Sequence, residues 1–331
     1  MNNLVENQTK LDQYPLVTFT LFAYNQETFI HEAIAGALAQ TYTPLEIILS
    51  DDCSTDGTFE IMKNMATNYT GPHQIVLIKN ESNLGVASHV NKIISLAKGS
   101  LIIASAGDDI SFPNRTAELT ELWINNGKPS GIIYSQYEPI DNEGNVLNID
   151  CLCKDVRELS IEEFASRFNP GIVGATQAWT KDLFIKCGPL PKGVFCEDAV
   201  FAFRAKLYGE ILFLDRVLLK YRIHPRSLSN DISLTTKEVL QKHKRATDIY
   251  RVFIDDVLKN SNESELSNLM LIIKAKIKHS DLIVKIVEGS FYEKLLSIFE
   301  IINDKNINRS LILKELLMAL MPKLHTIYKY I

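Results

Sequence analysis

The sequence contains no uninterrupted apolar run near the roughly 18 residues that a membrane-spanning helix requires. Its first ten residues, Met1 to Lys10, are polar and lack the apolar stretch of a secretory signal. Neither an integral protein nor one exported by such a signal is expected. A basic surplus is also missing. Against 35 Lys and Arg stand 40 Asp and Glu, a formal charge of −5, so the excess that binding to a phosphate backbone needs is not there, and no nucleic-acid partner is expected. Cysteine is scarce and odd in number: Cys53, Cys151, Cys153, Cys187 and Cys196 are too few for a disulfide scaffold. Cys151 and Cys153 have metal-site spacing neither with each other nor with a His pair. Reduced thiols and a cytoplasmic location follow as expectations. Low-complexity tracts and solenoid-period repeats are absent as well.

What is present is an alternation of β-branched runs with amphipathic stretches. Leu16 to Phe22 reads as a strand, and Glu27 to Gln40 follows with Phe29, Ile30, Ala33, Ile34, Ala37 and Leu38 at helical spacing. The scheme repeats in Leu45–Ser50 with Thr58–Asn68, in Gln74–Ile78 with Val86–Lys98, and in Ser100–Ser105 with Asn114–Asn126. Four β-α units in series predict a parallel, doubly wound sheet. After Gly131 the order loosens into an apolar run to Tyr137, a helix near Ile161–Phe168, a Gly-rich stretch Gly171–Trp179, a helix Glu197–Tyr208, and a hairpin or strand pair over Glu210–Arg222. Beyond Ser233 the patterns are long, helical and almost free of Gly and Pro. Residues 235–331 hold 16 Lys and Arg against 12 Asp and Glu, so a basic helical part follows an acidic one. The expected division is a tail 1–14, an α/β domain 15–234 and a helical domain 235–331.

In a doubly wound sheet, ligands sit beyond the carboxyl ends of the strands. The first such end, Phe22 to Thr28, has no glycine, which removes a dinucleotide fingerprint, and no P-loop occurs. The ends are instead polar and acidic: Ala23-Tyr24-Asn25, Asp51-Asp52-Cys53-Ser54-Thr55-Asp56-Gly57, and Ala106-Gly107-Asp108-Asp109. Convergent carboxylates repel and raise each other's pKa unless a cation compensates, so two pairs in one crevice point to a divalent metal, Mg2+ or Mn2+ for hard oxygen ligands. Successive side chains at a strand end face opposite ways, so Asp108 and Asp109 do not chelate one ion together. The plainer alternative is that Asp-rich ends are turn formers and helix caps.

In order and spacing from Leu16 to His224, these residues resemble family 2 glycosyltransferases of GT-A fold. The resemblance is carried by Ala23-Tyr24-Asn25-Gln26-Glu27, Ala39-Gln40-Thr41-Tyr42, Asp51 to Thr58, Asn83-Leu84-Gly85, Asn91, Gly107-Asp108-Asp109 with Pro113 and Arg115, Glu197-Asp198, and Tyr221-Arg222-Ile223-His224. It implies an α/β, doubly wound, Rossmann-like mixed sheet with a C-terminal all-helical extension. Ala23, Tyr24, Glu27, Asn83 and Gly85 then belong to the nucleotide side, with Asp52 accepting the N3–H of a uracil or thymine. Asp108 falls near the ribose or diphosphate and Asp109 on the metal. The family's Asp-x-Asp starts where this chain has Ala106, which leaves Asp109 as the main protein ligand. Gly174 lies where donor-sugar and acceptor contacts are expected, and Asp198 is the implied base with Glu197 as the second choice. His224 is placed on the metal or diphosphate, with Arg115 and Arg222 on the donor side.

The implied reaction is an inverting, metal-dependent transfer from a UDP- or dTDP-sugar to a hydroxyl of a glycan or lipid-linked acceptor, in polysaccharide, O-antigen or capsule assembly. Departure of the diphosphate calls for charge stabilisation, and the attacking hydroxyl calls for a carboxylate base. Plainer readings stand beside each residue: Glu197-Asp198 as favourable first-turn charge, Arg115 as a local cap, His224 as structural, a glycine in a strand as a bulge, Cys53 as a small buried filler. A sugar-nucleotide pyrophosphorylase or a catalytically silent nucleotide-binding protein of the same fold are the alternatives. In Leu311–Ile331, Leu313, Leu316, Leu317, Leu320, Leu324, Ile327 and Ile331 form an apolar helical face. It is open to cover by its own domain, by a second protomer, or by a membrane surface on the inner face of the cell membrane.

Overall fold

The computed structural model describes residues 14–149, 153–167, 170–224, 235–260, 266–304 and 308–320. The chain divides into two compact units, Met1–Glu158 with Asn169–Ser227, and Leu159–Phe168 with Leu228–Ile331.

The first unit opens with β1 (Val17–Ala23), α1 (Ile30–Leu38), β2 (Leu45–Asp51), α2 (Thr58–Thr67), β3 (Gln74–Lys79), α3 (Val86–Leu96) and β4 (Leu101–Ala106). These four strands are mutually parallel in the order β3-β2-β1-β4. Every residue of β2 is buried, as are all of β1 but Phe22, because helices cover both faces of a parallel sheet. Helix α1 buries Ile30, Ala33, Ile34 and Ala37, the spacing expected of its inner face. It begins three residues after the expected start at Glu27, following a tight turn in which Gln26 O accepts the amides of Phe29 and Ile30.

The unit continues with β5 (Ile110–Ser111), α4 (Arg115–Asn125) and β6 (Gly131–Ile140). Next come α5 (Ile161–Ser166), which belongs to the second unit, and β7 (Gln177–Thr180), α6 (Lys181–Cys187), α7 (Glu197–Tyr208) and β8 (Glu210–Arg222). The complete sheet is mixed, in the order β3-β2-β1-β4-β7-β6-β8-β5, with β7 antiparallel to both neighbours. The segment Glu210–Arg222 is one strand and not a hairpin. Its register against β6 jumps from Ser135–Leu214 to Gln136–Val217, so Asp215 and Arg216 bulge outward. Those two exposed polar residues imitate a turn in sequence. In place, Asp215 accepts from Gln136 at 3.0 Å and Arg216 pairs with Glu118 at 2.7 Å.

Buried Gln40 ties α1 to α4 with its whole amide. Its NH2 donates to Gly36 O and Phe112 O, each at 2.9 Å, and its oxygen accepts from the Thr116 amide and hydroxyl. A buried amide left short of partners would be costly, and this one is satisfied at both ends.

The second unit consists of α5 with α8 (Thr236–Asn260), α9 (Ser267–Glu288), α10 (Phe291–Asn303) and α11 (Arg309–Leu320). Helix α9 is its centre, burying Leu269, Ile273, Leu282 and Ile283. The expected apolar helix over Leu311–Ile331 is described as far as Leu320; Met321–Ile331 lie outside the described residues. Ile312 and Leu316 pack on Leu282 and Ile283, while Leu313 is exposed. Three helices meet at His243 (α8), His279 (α9) and Glu315 (α11): Glu315 bonds His279 and lies 3.9 Å from His243, whose other ring nitrogen is 3.4 Å from Ser280 Oγ.

Burial pushes the His243 pKa below its ordinary 6.5, against the attraction of Glu315. Burial alone would raise Glu315, but the hydrogen bond from His279 and the nearby positive groups hold it below its ordinary 4.5. Both folded pKa values are depressed, so the unfolded state binds more protons, and the stability these groups contribute is lost as pH falls below 6.5 and then below 4.5. Calorimetric unfolding of the full chain will therefore show the helical unit melting earlier at pH 5 than at pH 7. His243→Gln will flatten the part of that dependence nearest pH 6.5.

Candidate active site

The sheet register aligns three strand ends. Ala23 of β1 pairs with Asp51 of β2, and Phe22 of β1 with Ala106 of β4. Tyr24, Asp52 and Gly107 therefore leave the sheet at one level, at its carboxyl edge. The loop after β1 is stitched to the loop after β2. Asn25, at φ 52°, donates its amide to Ser54 Oγ at 2.9 Å, and its side-chain oxygen accepts from the Thr55 amide at 2.8 Å. Glu27, expected on the nucleotide side, accepts the Gly57 amide at 2.7 Å. Asp51 accepts from Ser54, and Asp56 from the Thr58 amide at 3.0 Å, so for these two carboxylates the turn-and-cap reading describes the structure. Tyr24 projects from the edge, 46% exposed.

Asp52 is buried and holds the next loop. Its Oδ1 accepts from Asn80 Nδ2 at 2.7 Å and the Leu84 amide at 2.9 Å, and its Oδ2 from the Gly85 amide at 3.0 Å. A carboxylate offers about four acceptor positions, so one on Oδ2 remains. Asn83 also accepts the Gly85 amide, at 2.9 Å, and Gly85 takes φ 74°, where a side chain would be strained. Cys53, expected as a buried filler, is half-buried at φ 65°. His89 lies beneath this edge, 2.6 Å from Ser50 Oγ and edge-on to Phe22, and burial lowers its pKa.

After β4, Gly107 has no space for a Cβ, which would meet Gln26 Oε1 and lie 2.9 Å from Ile30 Cδ1. The two aspartates that follow separate sharply. Asp109 is 1% exposed, its Oδ1 accepting the Arg222 amide at 2.9 Å. Burial, reinforced by the charge of Asp108, drives its pKa well above the ordinary carboxylate value. Asp108 faces the other way, with Oδ2 3.0 Å from His224 Nε2. The resemblance implies Asp109 as the metal ligand; the structure turns Asp109 inward and brings Asp108 to His224 instead. The alternation of side chains at a strand end is the cause, and the one-residue shift at Ala106 hid which member points outward.

Arg115 and Arg222, expected on the donor side, are both buried struts. Arg115 donates to Ser111 Oγ at 2.9 Å and to the carbonyls of Ala104 and Ala175 at 2.8 and 2.6 Å; burial lowers its pKa to about 10. Arg222 donates to Asp108 O at 3.0 Å and to the carbonyls of Asp141 and Asn142 at 2.9 and 2.8 Å, pairs with Glu32 at 2.5 Å, and lies over the Phe29 ring. Phe29 also touches the His224 ring, with centroids 5.0 Å apart. Neither Glu32 nor Phe29 carried a signal in sequence beyond its place on α1 or the turn before it.

The other side of the crevice comes from α7. Because β7 runs antiparallel to β4, with Leu101 opposite Thr180 and Ile103 opposite Ala178, the 3-10 turn Gly174–Thr176 before β7 falls at the carboxyl end of β4. Gly174 lies directly against Asp198: a Cβ would come within 3.0 Å of Asp198 Cβ and 3.1 Å of its Oδ2. Asp198 Oδ1 accepts the Ala199 amide at 2.8 Å, and the Gly174 amide also bonds this carboxylate. Burial raises the Asp198 pKa, and those amides oppose the rise. Glu197 is pushed up to about 8 by burial and by the Asp198 charge, against a hydrogen bond from its own amide. Burial and the closeness of the two carboxylates thus favour a proton on this pair, while the amides of Ala199 and Gly174 support the anionic form of Asp198. The approach to α7 is fixed by Asn91, whose amide exchanges two hydrogen bonds of 2.8 Å with the backbone of Leu190.

Among the described residues no three His, Cys, Asp or Glu side chains form a metal cage. Asp108 and His224 supply one carboxylate and one imidazole, a donor pair that suits a divalent ion whose remaining ligands come from elsewhere.

Comparison with known proteins agrees with this architecture. The family model described as "Glycosyl transferase family 2" matches residues 19–184. The putative glycosyltransferase EpsE of Bacillus subtilis is 42% identical over 101 residues, 30% of this chain and 36% of that protein. An uncharacterized glycosyltransferase of Rickettsia prowazekii is 28% identical over 301 residues, 86% of this chain and 89% of that one. The crystal structure of Staphylococcus aureus TarS 1-349 in complex with UDP-GlcNAc superposes with a TM-score of 0.60 at 15% identity, covering 86% of this chain and 78% of that one. The mannosyltransferase PcManGT of Pyrobaculum calidifontis, in complex with GDP-Man and Mn2+, gives 0.57 at 15% identity, covering 94% and 87%. Half of the chain, containing the stitched strand ends and the Asp108-Asp109 turn, thus follows one family pattern, and the chain belongs to glycosyl transferase family 2.

Proposed function

We propose that this glycosyltransferase moves a sugar from a UDP- or dTDP-sugar to a hydroxyl of a glycan or lipid-linked acceptor, with inversion, in the building of a polysaccharide. The observation that carries the reading is the pairing of two separate carboxylates at one sheet edge: Asp108 against His224, and Asp198 against Gly174. Tyr24 offers an exposed ring at the nucleotide side, and Asp52 keeps acceptor capacity for the N3–H of a uracil or thymine. Similarity over 144 residues at 31% identity to the chondroitin synthase of Escherichia coli supports a polysaccharide product.

Asp108 and His224 are assigned as the protein ligands of Mn2+ or Mg2+, in place of Asp109, and the PcManGT complex with Mn2+ supports a divalent ion in this fold. Such an ion supplies stabilisation of the negative charge that develops on the departing diphosphate. Asp109 acts through the Arg222 amide, which it holds while the Arg222 side chain holds the Asp108 carbonyl. Asp198, ionised beside protonated Glu197, takes the proton of the acceptor hydroxyl as that oxygen attacks. One displacement opposite the leaving group inverts the anomeric centre. Gly174 leaves room for the base and contributes an amide to it.

Donor turnover and transfer, measured with added manganese, test this assignment. Asp198→Asn should lower the transfer rate by about 10²- to 10⁴-fold, the usual contribution of a positioned base, while calorimetry shows UDP still binding. Asp108→Ala should remove the manganese-dependent part of UDP binding. Intact transfer in either variant rejects the role assigned to that carboxylate, and UDP binding without turnover in the wild type marks a silent nucleotide binder.

The pH profile has a fixed sign. The base must be ionised and its pKa is raised above 3.8, so transfer should fall on acidification at a pH higher than an ordinary aspartate would set. Glu197→Gln, which copies the protonated side chain, should retain activity within about threefold at pH 7. A loss equal to that of Asp198→Asn would move the base to Glu197.

A further inference from the structure

Helix α10 is inverted relative to an ordinary surface helix, whose apolar side faces the core. Its inward side carries buried Ser297, with Glu300 and Asp304 paired to Lys278 at 2.9 and 2.5 Å and only Ile301 joining the apolar cluster. Its outward side carries Phe291, Leu295, Ile298, Phe299 and Ile302, bordered by Tyr292 and Leu296. Phe291 is 79%, Tyr292 68% and Phe299 67% exposed.

We propose that this face of α10 docks on an anionic lipid surface. Its width distinguishes that occupant from a second copy of the chain. At about 100° per residue, the seven apolar positions span roughly 160° of the helix, wider than the stripe buried in one helix-helix seam. A planar apolar medium covers half a cylinder, and an interfacial helix enters it by roughly 5–10 Å. Charge points the same way. No charged residue lies within the arc, and the acids of α10 are engaged elsewhere, Glu293 in the cap at Ser290 and the other two on Lys278. Cations border the face. Lys294 stands one turn from Phe291 and Ile298, and Arg309 bonds the carbonyls of Ile301 and Ile302 at the far end. The helical part is basic within an acidic protein, so an anionic leaflet attracts the part that carries the face, whereas two copies would bring like charge together. Tyr292, toward one border of the face, suits the water-lipid boundary.

Sedimentation of the full-length protein with vesicles tests it, using phosphatidylcholine alone and phosphatidylcholine with an equal part of phosphatidylglycerol. The wild type should partition at least about tenfold more strongly to the anionic vesicles and release with salt. Leu295→Glu and Phe299→Glu should lose that binding, and Phe299→Leu should keep it. Because the face is exposed, all three should melt within about two degrees of the wild type. No binding to either vesicle, or equal binding by the Glu variants, overturns the proposal. So does a dimer in light scattering that the Glu variants dissolve, which would assign the face to a second copy. A melting temperature lowered by many degrees would show that the chain itself covers the face, and overturns it as well.

Discussion

The crevice depends on one buried cation. Arg222 ends β8, and from there its guanidinium reaches the carbonyl of Asp108, two carbonyls of the turn after β6, and the carboxylate of Glu32 on α1, while its own amide binds Asp109. A buried guanidinium is tolerated only when its donors are met, and in this crevice meeting them joins two loops and a helix. The direction of Asp108 toward His224 is a result of that joining. A lysine could not reproduce it, because a point charge on a flexible stem lacks the planar fork that serves several carbonyls at once.

The carboxylates at the strand ends divide into those that build and those that face outward. Asp51, Asp56 and Glu27 spend their oxygens on backbone amides of neighbouring loops, and Asp109 is sealed beneath the edge. Asp52 does both, bracing the Leu84-Gly85 loop with most of its capacity. Asp108 and the Glu197-Asp198 pair are also held in constrained positions while remaining only partly buried. Preorganisation of this kind lets a site present charge without reorganising at the moment of reaction.

Much of this was legible in the chain. The four β-α units and the acidic strand ends follow from periodicity and turn chemistry, which are local, and the parallel half of the sheet appears where they predict it. What escaped depends on contacts distant in sequence. Asp215 and Arg216 read as a turn because a bulge exposes polar residues as a turn does. That Asp108 and not Asp109 turns to His224 escaped because spacing cannot report which neighbour of an alternating pair turns inward. Arg115 and Arg222 carry the charge expected of phosphate-binding residues, and nothing in a linear pattern distinguishes that use from the bracing of carbonyls.

Asn91 stands in for a strand partner, giving Leu190 both the donor and the acceptor that a ladder would give. From that anchor the chain has a fixed count of residues before Asp198 arrives beside Gly174. Between the two the chain is irregular loop, so it is the anchors at either end, Leu190 on Asn91 and Gly174 on Asp198, that decide where the carboxylate stands.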